Sequence, residues 1–153
     1  MARNQSAGLL LYRKMLMLEV FLVHPGGPLW RNKDATAWSI PKGEFDESEE
    51  PLQAAIREFS EETGITVSGK FIEMTPVVQK GGKKVFAWAL EINIDVATVK
   101  SNHFEMQWPP RSGKFQSFPE IDRGEWFTVD IAMKKINVMQ GALIKELQDK
   151  LTP

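Results

Sequence analysis

The segment from Ser48 to Gly64 restricts the fold of this chain most, because it carries both the start and the stop signals of an α-helix. Ser48-Glu49-Glu50-Pro51 supplies a capping hydroxyl, acidic side chains and a first-turn proline. Gly64 predicts a left-handed cap at the end. Apolar residues recur at i, i+3, i+4 and i+7: Leu52, Ala55, Ile56 and Phe59. The opposite face is charged: Arg57, Glu58, Glu61 and Glu62.

Around this helix the pattern predicts short strands, one glycine turn and a second helix. The predicted strands are Gly8–Tyr12, Leu16–His24, Ala37–Ile40, Ile65–Val67, Phe71–Val78, Lys84–Ile94 and Gly124–Val129. Gly81-Gly82 predicts a hairpin turn. Residues 101–120, rich in Pro, Ser, Gly and aromatics, predict one long loop, and Ile131–Leu151 predicts a helix weakened at Gly141.

Size and composition limit the class of protein. The chain has 153 residues, which predicts a single domain over 1–153 with its own core. A net charge of −1 disfavours a long nucleic-acid partner, and the absence of cysteine excludes disulfides and thiol chemistry. The apolar stretch Ala7 to Leu11 is too short to span a membrane. We therefore expect a soluble, cytoplasmic protein without a membrane partner; the sequence does not indicate its oligomeric state.

The acidic helix face indicates the chemistry. Helical spacing brings Glu58, Glu61 and Glu62 together on a narrow arc, where their charges repel. Such a cluster is tolerated on a solvated face or where cations neutralise it, and hard Mg²⁺ or Mn²⁺ prefers carboxylate and carbonyl oxygen. For three glutamates alone, both alternatives remain open.

The longer string around this face identifies a family. GEFDESEEPLQAAIREFSEETGI, from Gly43 to Ile65, matches Gx5Ex7REUxEExGU at every defined position. These positions are Gly43, Glu49, Arg57, Glu58, Phe59, Glu61, Glu62, Gly64 and Ile65. The pattern resembles the box of the Nudix hydrolases, and the chain resembles bacterial members described as predicted NTP pyrophosphohydrolases. The resemblance implies an α/β fold, with a mixed sheet sandwiched between helices and the box as a loop, helix, loop unit.

The resemblance also implies roles for the residues of the box. The implied metal ligands are several carboxylates and one backbone carbonyl: Glu58, Glu61, Glu62, Glu49 and the carbonyl near Lys42 and Gly43. Glu58 is either a ligand or the general base, and Glu49 either ligates metal or holds the loop. Arg57 orients the acidic cluster through charge-assisted hydrogen bonds. The implied cofactor is Mg²⁺ or Mn²⁺.

Residues outside the box give weaker signals, each with a plain structural alternative. Glu105 is a candidate late ligand or base, or else a surface residue. Lys42 is a candidate phosphate clamp, or else a solvated loop lysine. Trp30, and with it Phe104 and Trp108, is a candidate to stack on a base, or else packs its own loop. The lysines near the Gly81-Gly82 turn are either polyphosphate contacts or solvated: Lys80, Lys83 and Lys84. His24 and His103 are expected to be structural or surface residues.

These residues together predict an enzyme. We expect Mg²⁺-dependent hydrolysis of a diphosphate linkage in a small nucleoside diphosphate derivative, of nucleoside triphosphate or dinucleoside polyphosphate type. The alternatives are a Nudix module that senses a nucleotide without cleaving it and a hydrolase of diphosphoinositol polyphosphates. The Pro41-Lys42-Gly43 approach resembles the branch of the family that cleaves dinucleoside or diphosphoinositol polyphosphates.

Overall fold

The protein is described here from a computed structural model, which covers residues 5–152. Residues 1–4 and 153, which the single-domain prediction also includes, lie outside the described part. The strands are β1 (Gln5–Lys14), β2 (Leu18–Pro25), β3 (Lys42–Glu44), β4 (Ile72–Glu73), β5 (Val77–Val78), β6 (Lys84–Glu91), β7 (His103–Gln107), β8 (Phe115–Pro119) and β9 (Ile121–Thr128). The helices are α1 (Pro51–Thr63), α2 (Val129–Lys135) and α3 (Gly141–Leu151).

The main sheet is mixed, with the order β4-β6-β1-β2-β9. Strands β1 and β6 run parallel, whereas β1 with β2, β2 with β9, and β4 with β6 are antiparallel. Strand β3 pairs with β1, and β5 pairs with β6 across the Gly81-Gly82 turn. Both glycines have positive φ, 88° and 83°, so the predicted hairpin is confirmed.

Helices cover both faces of this sheet. Alternate residues of β1 belong to different cores: Leu9 and Leu11 pack with Phe59 of α1, whereas Leu10 packs with Leu143 of α3. This two-sided burial explains why β1 reads as a continuous apolar run rather than an alternating one. The predicted α/β sandwich is therefore confirmed.

The prediction of one long loop over residues 101–120 is wrong. Strands β7 and β8 form a separate two-stranded antiparallel sheet in which Phe104 pairs with Phe118 and Glu105 pairs with Ser117. The side chains alternate weakly between apolar and polar, and the connection 108–114 is rich in turn residues. Those turn residues obscured the hairpin in the sequence.

The prediction of one helix over Ile131–Leu151 is also wrong, because the chain leaves the helix at Ile136. Its backbone there is extended, with φ −75° and ψ 149°, and it forms a parallel bridge with Trp38. A helical residue cannot make that bridge, so α2 ends at Lys135 and α3 begins at Gly141. The weakness expected at Gly141 coincides with this new start.

Three shorter predictions need correction. Ala37–Ile40 forms isolated bridges, Ile65–Val67 is not a strand, and the Phe71–Val78 strand is divided into β4 and β5.

The Ser48 hydroxyl does not cap α1: Ser48 donates to Asp46, and Glu50 is the N-cap residue without a side-chain cap bond. The left-handed cap at Gly64 is confirmed by its φ of 76°.

Across residues 5–152 the helices are too short or too polar to cross a bilayer.

Candidate functional site

The candidate site lies where Gly43 of β3 packs against Glu58, in the middle of α1. Antiparallel pairing of Gly43 with Ala7 of β1 fixes its backbone. A Cβ added at Gly43 would lie 1.9 Å from Oε1 of Glu58, so a side chain there would displace the carboxylate. The glycine is therefore required for close packing of the Glu58 carboxylate on the strand.

Arg57 binds three carboxylates of the box. Its Nε and Nη2 donate to the two oxygens of Glu49, at 2.7 and 2.9 Å. Its Nη1 donates to Glu58 Oε2 at 2.8 Å and to Glu61 Oε2 at 3.0 Å. The bidentate bond to Arg57 holds the pKa of the Glu49 carboxyl below its usual range. Arg57 thus joins Glu49, Glu58 and Glu61 in one hydrogen-bonded network, in which both oxygens of Glu49 are occupied.

Glu62 differs from these partners because it is buried. Its relative exposure is 9%, and its Oε1 accepts a hydrogen bond from the backbone N–H of Lys42 at 3.2 Å. Burial raises the pKa of Glu62 to about 8; the Lys42 charge opposes this rise, and Glu120 and Glu58 add to it. The helix therefore presents one carboxylate inside the protein rather than on the solvated face.

A further carboxylate, Glu120, joins the cluster from the junction of β8 and β9. Burial raises its pKa, and the charge of Glu61 raises it further. Its backbone accepts from Gly26 N–H at 2.9 Å and donates to Asn102 O at 2.8 Å, so two loops hold it in place. Burial also raises the pKa of Glu58, with Glu120 among the contributing charges.

Glu120 was missed in the sequence because it belongs to no motif and is far from the box along the chain. Only the antiparallel pairing of β2 with β9 brings the start of β9 to the site. Glu105, the late glutamate singled out from the sequence, is instead exposed on β7 and is not among the residues lining the cavity described next.

Lys42, Glu62 and Glu120 face a cavity of about 190 Å³. Its remaining lining is mostly apolar: Val23, Pro25, Ser39, Ile40 and Ile121. Burial lowers the pKa of the Lys42 amine, and the charge of Glu62 opposes that effect. The cavity thus combines oxygen donors with one amine that is costly to keep charged without an anion nearby.

A buried amide fixes the segment that leads into the cavity. Gln140 is 1% exposed, and its Oε1 accepts from the backbone N–H of Ile40 at 3.0 Å. Its Nε2 donates to Ser39 Oγ at 3.0 Å and to Gln79 Oε1 at 2.9 Å. The segment Ser39 to Lys42 is therefore held from the α2–α3 connection.

The donor set suits a divalent cation. The cluster offers four carboxylates, all of hard oxygen type: Glu58, Glu61, Glu62 and Glu120. Within the described 5–152 range, no group of three or more Asp, Glu, His or Cys side chains is arranged so that these groups alone could hold a metal ion. Such a set fits Mg²⁺, which is usually bound through one or two carboxylates, waters and substrate phosphates rather than by a closed cage.

Trp30, Lys83 and Lys84 are not among the residues that line this cavity. Trp30 is 39% exposed in the loop after β2, with the Lys33 amine 5.4 Å from its ring centroid. Lys83 pairs with Glu44 of β3 at 2.6 Å, whereas Lys84 lies over the Phe86 ring.

The histidines and the other predicted aromatics are placed by separate contacts. His24 is buried between Asp122 and the Lys33 carbonyl, and His103 is exposed at the start of β7. Phe104 packs beside Phe118, and Trp108 follows β7.

Comparison with known proteins places this geometry in a family. A family model described as NUDIX domain matches residues 2–147. The chain is 35% identical over 101 residues to an 8-oxo-(d)GTP phosphatase of Mycolicibacterium smegmatis, an alignment covering 65% of this chain and 26% of that protein. It is 32% identical over 95 residues to an asymmetrical bis(5'-nucleosyl)-tetraphosphatase of Rattus norvegicus, covering 58% and 65%. The matched region thus spans less than two thirds of these relatives.

A solved structure gives the same placement over the full length. The fold is similar to that of a C. elegans Ap4A hydrolase in a binary complex, with a TM-score of 0.69 and 26% identity, covering 96% of each chain. The family model covers most of the residues, and the box lies within it. The chain therefore belongs to the NUDIX domain family.

Proposed function

We propose that this chain hydrolyses a diphosphate linkage in a nucleotide derivative, of nucleoside triphosphate or dinucleoside polyphosphate type, with Mg²⁺ or Mn²⁺ as cofactor. The observation that carries the proposal is a cavity lined by Glu62, Glu120 and Lys42, with the charges of Glu58 and Glu61 near enough to raise the pKa values of these two glutamates. Similarity to an 8-oxo-(d)GTP phosphatase and to Ap4A hydrolases supports the substrate class. NUDIX hydrolases generally use divalent metal ions, which supports the cofactor.

The residues that would hold metal are the cluster carboxylates and the backbone near Gly43. In this assignment Glu61, Glu62 and Glu120 supply oxygen ligands, the carbonyl near Gly43 adds another, and Glu58 takes the other role open to it, that of general base. A bound cation would neutralise phosphate oxygens and make the attacking water more acidic.

Arg57 keeps the carboxylates in place before substrate arrives. One guanidinium nitrogen donates hydrogen bonds to Glu58 and Glu61, and the other two nitrogens donate to Glu49. Because its fork is rigid, the carboxylates lose little freedom when substrate binds. Glu49, bound at both oxygens, serves the loop in this assignment rather than the metal.

Glu58 is the residue that we assign as general base. Its Oε2 accepts from Arg57, so Oε1 is the atom that takes the proton from the attacking water. Burial raises the pKa of this carboxyl, which brings it closer to the neutral range where a base works best. Lys42 lines the same cavity as Glu62, where its amine would donate to a substrate phosphate oxygen.

A substrate panel tests the proposal. Nucleoside triphosphates, 8-oxo-dGTP, dinucleoside polyphosphates, nucleotide sugars and diphosphoinositol polyphosphates are each incubated with Mg²⁺ or Mn²⁺, and products are separated by ion exchange. The Glu61→Gln/Glu62→Gln double variant is the matched control for contaminating phosphatase. Cleavage of a nucleotide by wild type alone supports the proposal. Cleavage of the inositol compounds alone contradicts the proposal and favours a hydrolase of diphosphoinositol polyphosphates. Nucleotide binding without any cleavage also contradicts it and favours a nucleotide-sensing module.

A further inference from the structure

A buried histidine, His24 of β2, is hydrogen-bonded to Asp122 of β9 beside the carboxylate cavity, the one that Lys42, Glu62 and Glu120 line. We propose that His24 is a positioning residue: through Asp122 it holds the start of β9, and with it the Glu120 carboxylate, at this cavity. The assignment rests on the proposed function, in which Glu120 is a metal ligand.

The pair adjoins the cavity wall on both strands. His24 is buried, with 1% relative exposure, whereas the Asp122 side chain is 37% exposed. Their neighbours along the chain line the cavity: Val23, Pro25, Glu120 and Ile121. A change in the relative position of His24 and Asp122 would therefore move the cavity wall.

The pairing of β2 with β9 shifts register at this point. His24 pairs with Arg123, and the next residue, Pro25, pairs with Ile121. Asp122 is therefore the extra residue of a bulge on β9. Proline has no backbone N–H, so Pro25 cannot donate a hydrogen bond across this step. The ladder thus lacks one backbone donor beside the cavity, where a side-chain bond can fix the register.

The imidazole ring supplies that bond. Nδ1 of His24 lies 2.9 and 3.1 Å from the two carboxylate oxygens of Asp122, and Nε2 lies 2.6 Å from the carbonyl oxygen of Lys33. Because an acceptor faces each nitrogen, both bonds form only when both nitrogens carry a proton. The ring is then a buried cation, which the Asp122 carboxylate neutralises. An apolar side chain fills such a site at least as cheaply, so the charged pair supports a role in fixing the register.

Trp38 limits the orientation of this ring. The centroids of the His24 and Trp38 rings lie 5.2 Å apart, with an angle of 62° between the ring planes. Trp38 is itself 1% exposed, and its Nε1 donates to Asp34 Oδ1 at 2.8 Å. The His24 ring thus packs against a fixed side chain, and its two bonds point to Asp122 on one side and to Lys33 on the other.

A backbone hydrogen bond reports whether Glu120 is in place. The Gly26 N–H donates to the Glu120 carbonyl at 2.9 Å. Gly26 directly follows the proline that ends β2, so this bond forms only when the two strands have the register that His24 fixes. The exchange rate of the Gly26 amide hydrogen therefore measures the position of Glu120 without any need for turnover.

Hydrogen exchange of the full chain, followed in ¹H–¹⁵N spectra without substrate, tests this position. Asp122→Ala should speed exchange of the Gly26 amide about 10-fold or more, because the side-chain bond that fixes the register is lost. The Val23 amide, which donates to the Ser39 carbonyl at 2.9 Å, should keep its rate. Equal acceleration of both amides would show a general loosening of β2, and acceleration of neither would show that Asp122 does not hold β9. Each of these results would overturn the proposal.

Two substitutions of His24 then separate the bond to Asp122 from the bond to Lys33. The amide nitrogen of His24→Asn lies near the position of Nδ1 and can still donate to Asp122, whereas that of His24→Gln lies near Nε2 and can donate only to the Lys33 carbonyl. Mn²⁺ binding is measured from the free-ion signal in electron paramagnetic resonance, and kinetics on the best substrate of the panel. His24→Gln should weaken Mn²⁺ binding and lower kcat about 10-fold or more with little change in KM, and His24→Asn should retain most of both.

His103→Asn is the matched control, because His103 is exposed on β7 and does not line the cavity. Its Mn²⁺ binding and kcat should equal those of wild type. Equal losses in His24→Asn and His24→Gln, or no loss in either, would overturn the proposal even if hydrolysis is established. Absence of hydrolysis by wild type would contradict the proposed function, while the exchange rates and Mn²⁺ binding still decide the role of His24.

Discussion

The carboxylate cluster has two unlike sides. On one side Arg57, whose side chain is 38% exposed, binds Glu49, Glu58 and Glu61 in a solvent-accessible network. On the other side Glu62 is buried beside Lys42. Exposed ion pairs contribute little stability but fix geometry, whereas a buried carboxyl resists ionisation. In the proposed function, the Arg57 side would position the carboxylates, and a cation bound on the Glu62 side would stabilise the charge of that buried carboxylate.

Removal of metal should abolish hydrolysis, because both sides of the cluster are proposed to act through the bound cation. We expect hydrolysis to require millimolar Mg²⁺ or Mn²⁺ and to disappear with a chelator, because open carboxylate sites hold such ions loosely. Phosphate release is measured before and after exhaustive chelation, and again after metal is restored. Full activity in the chelated enzyme would exclude the cation from both sides of the cluster.

Substitution on each side should show whether both sides hold metal. Glu61→Gln and Glu62→Gln should each lower kcat by more than about 100-fold, since glutamine keeps the shape but removes the ligand charge. Glu105→Gln, on the exposed β7, is the matched control and should change kcat little. Near wild-type turnover in both cluster variants would show that Glu61 and Glu62 are not metal ligands.

The base assignment can be sharpened by the position of the proton acceptor. Glu58→Gln should depress kcat at saturating substrate more than Glu120→Gln, because α1 fixes Glu58 between Gly43 and Arg57 whereas Glu120 is carried by a strand junction. The acidic limb of the pH–rate profile should disappear only in Glu58→Gln. If that limb disappears in Glu120→Gln instead, Glu120 is the base.

The Arg57 side should respond to geometry rather than to charge alone. Arg57→Lys keeps the positive charge but cannot bind three carboxylates at once, so we expect kcat to fall about 10- to 100-fold. The unfolding midpoint should shift by only a few degrees, because the network is exposed. Wild-type kcat in Arg57→Lys would mean that a point charge is sufficient.

The Glu62 side should appear in the pH dependence of stability. Its folded pKa, about 8, is above the ordinary 4.5, so the protonated carboxyl stabilises the folded state fully below about 4.5. That contribution is lost as pH rises towards 8, and the free energy of unfolding of the metal-free protein should fall across this window. Urea unfolding at several pH values measures it.

Glu62→Gln is the control for that measurement. It should show a smaller slope rather than none, because burial raises the pKa of Glu58 and Glu120 in the same direction. Identical slopes for wild type and variant would show that Glu62 does not titrate differently in the folded protein.

The box was predictable because its information is local. The start of α1 at Pro51, its Gly64 cap and the shared face of Glu58 and Glu61 follow from helical spacing alone. The Arg57 contacts follow from the same spacing and from the resemblance to the family. Little long-range structure is needed to place these groups.

The rest of the site depends on pairings between distant segments. Glu120 is held by Gly26 and Asn102, and the end of α2 is set by a bridge to Trp38. Glu62 likewise accepts its hydrogen bond from the backbone N–H of Lys42 in β3, which is 20 residues away along the chain. The local sequence pattern does not show such long-range contacts. A long loop was therefore predicted over residues 101–120, where the structure has a hairpin, and a continuous helix over Ile131–Leu151, where the structure has a break.

The amide of Gln140 has a consequence for how the enzyme assembles. Its bond to the Ile40 N–H closes a loop of 100 residues, and the segment it holds leads directly to Lys42. Closure of a loop of this length costs entropy, so we expect this part of the cavity to form late in folding. Weakening α3 would therefore lower the fraction of active molecules before it changed the affinity of those that remain folded.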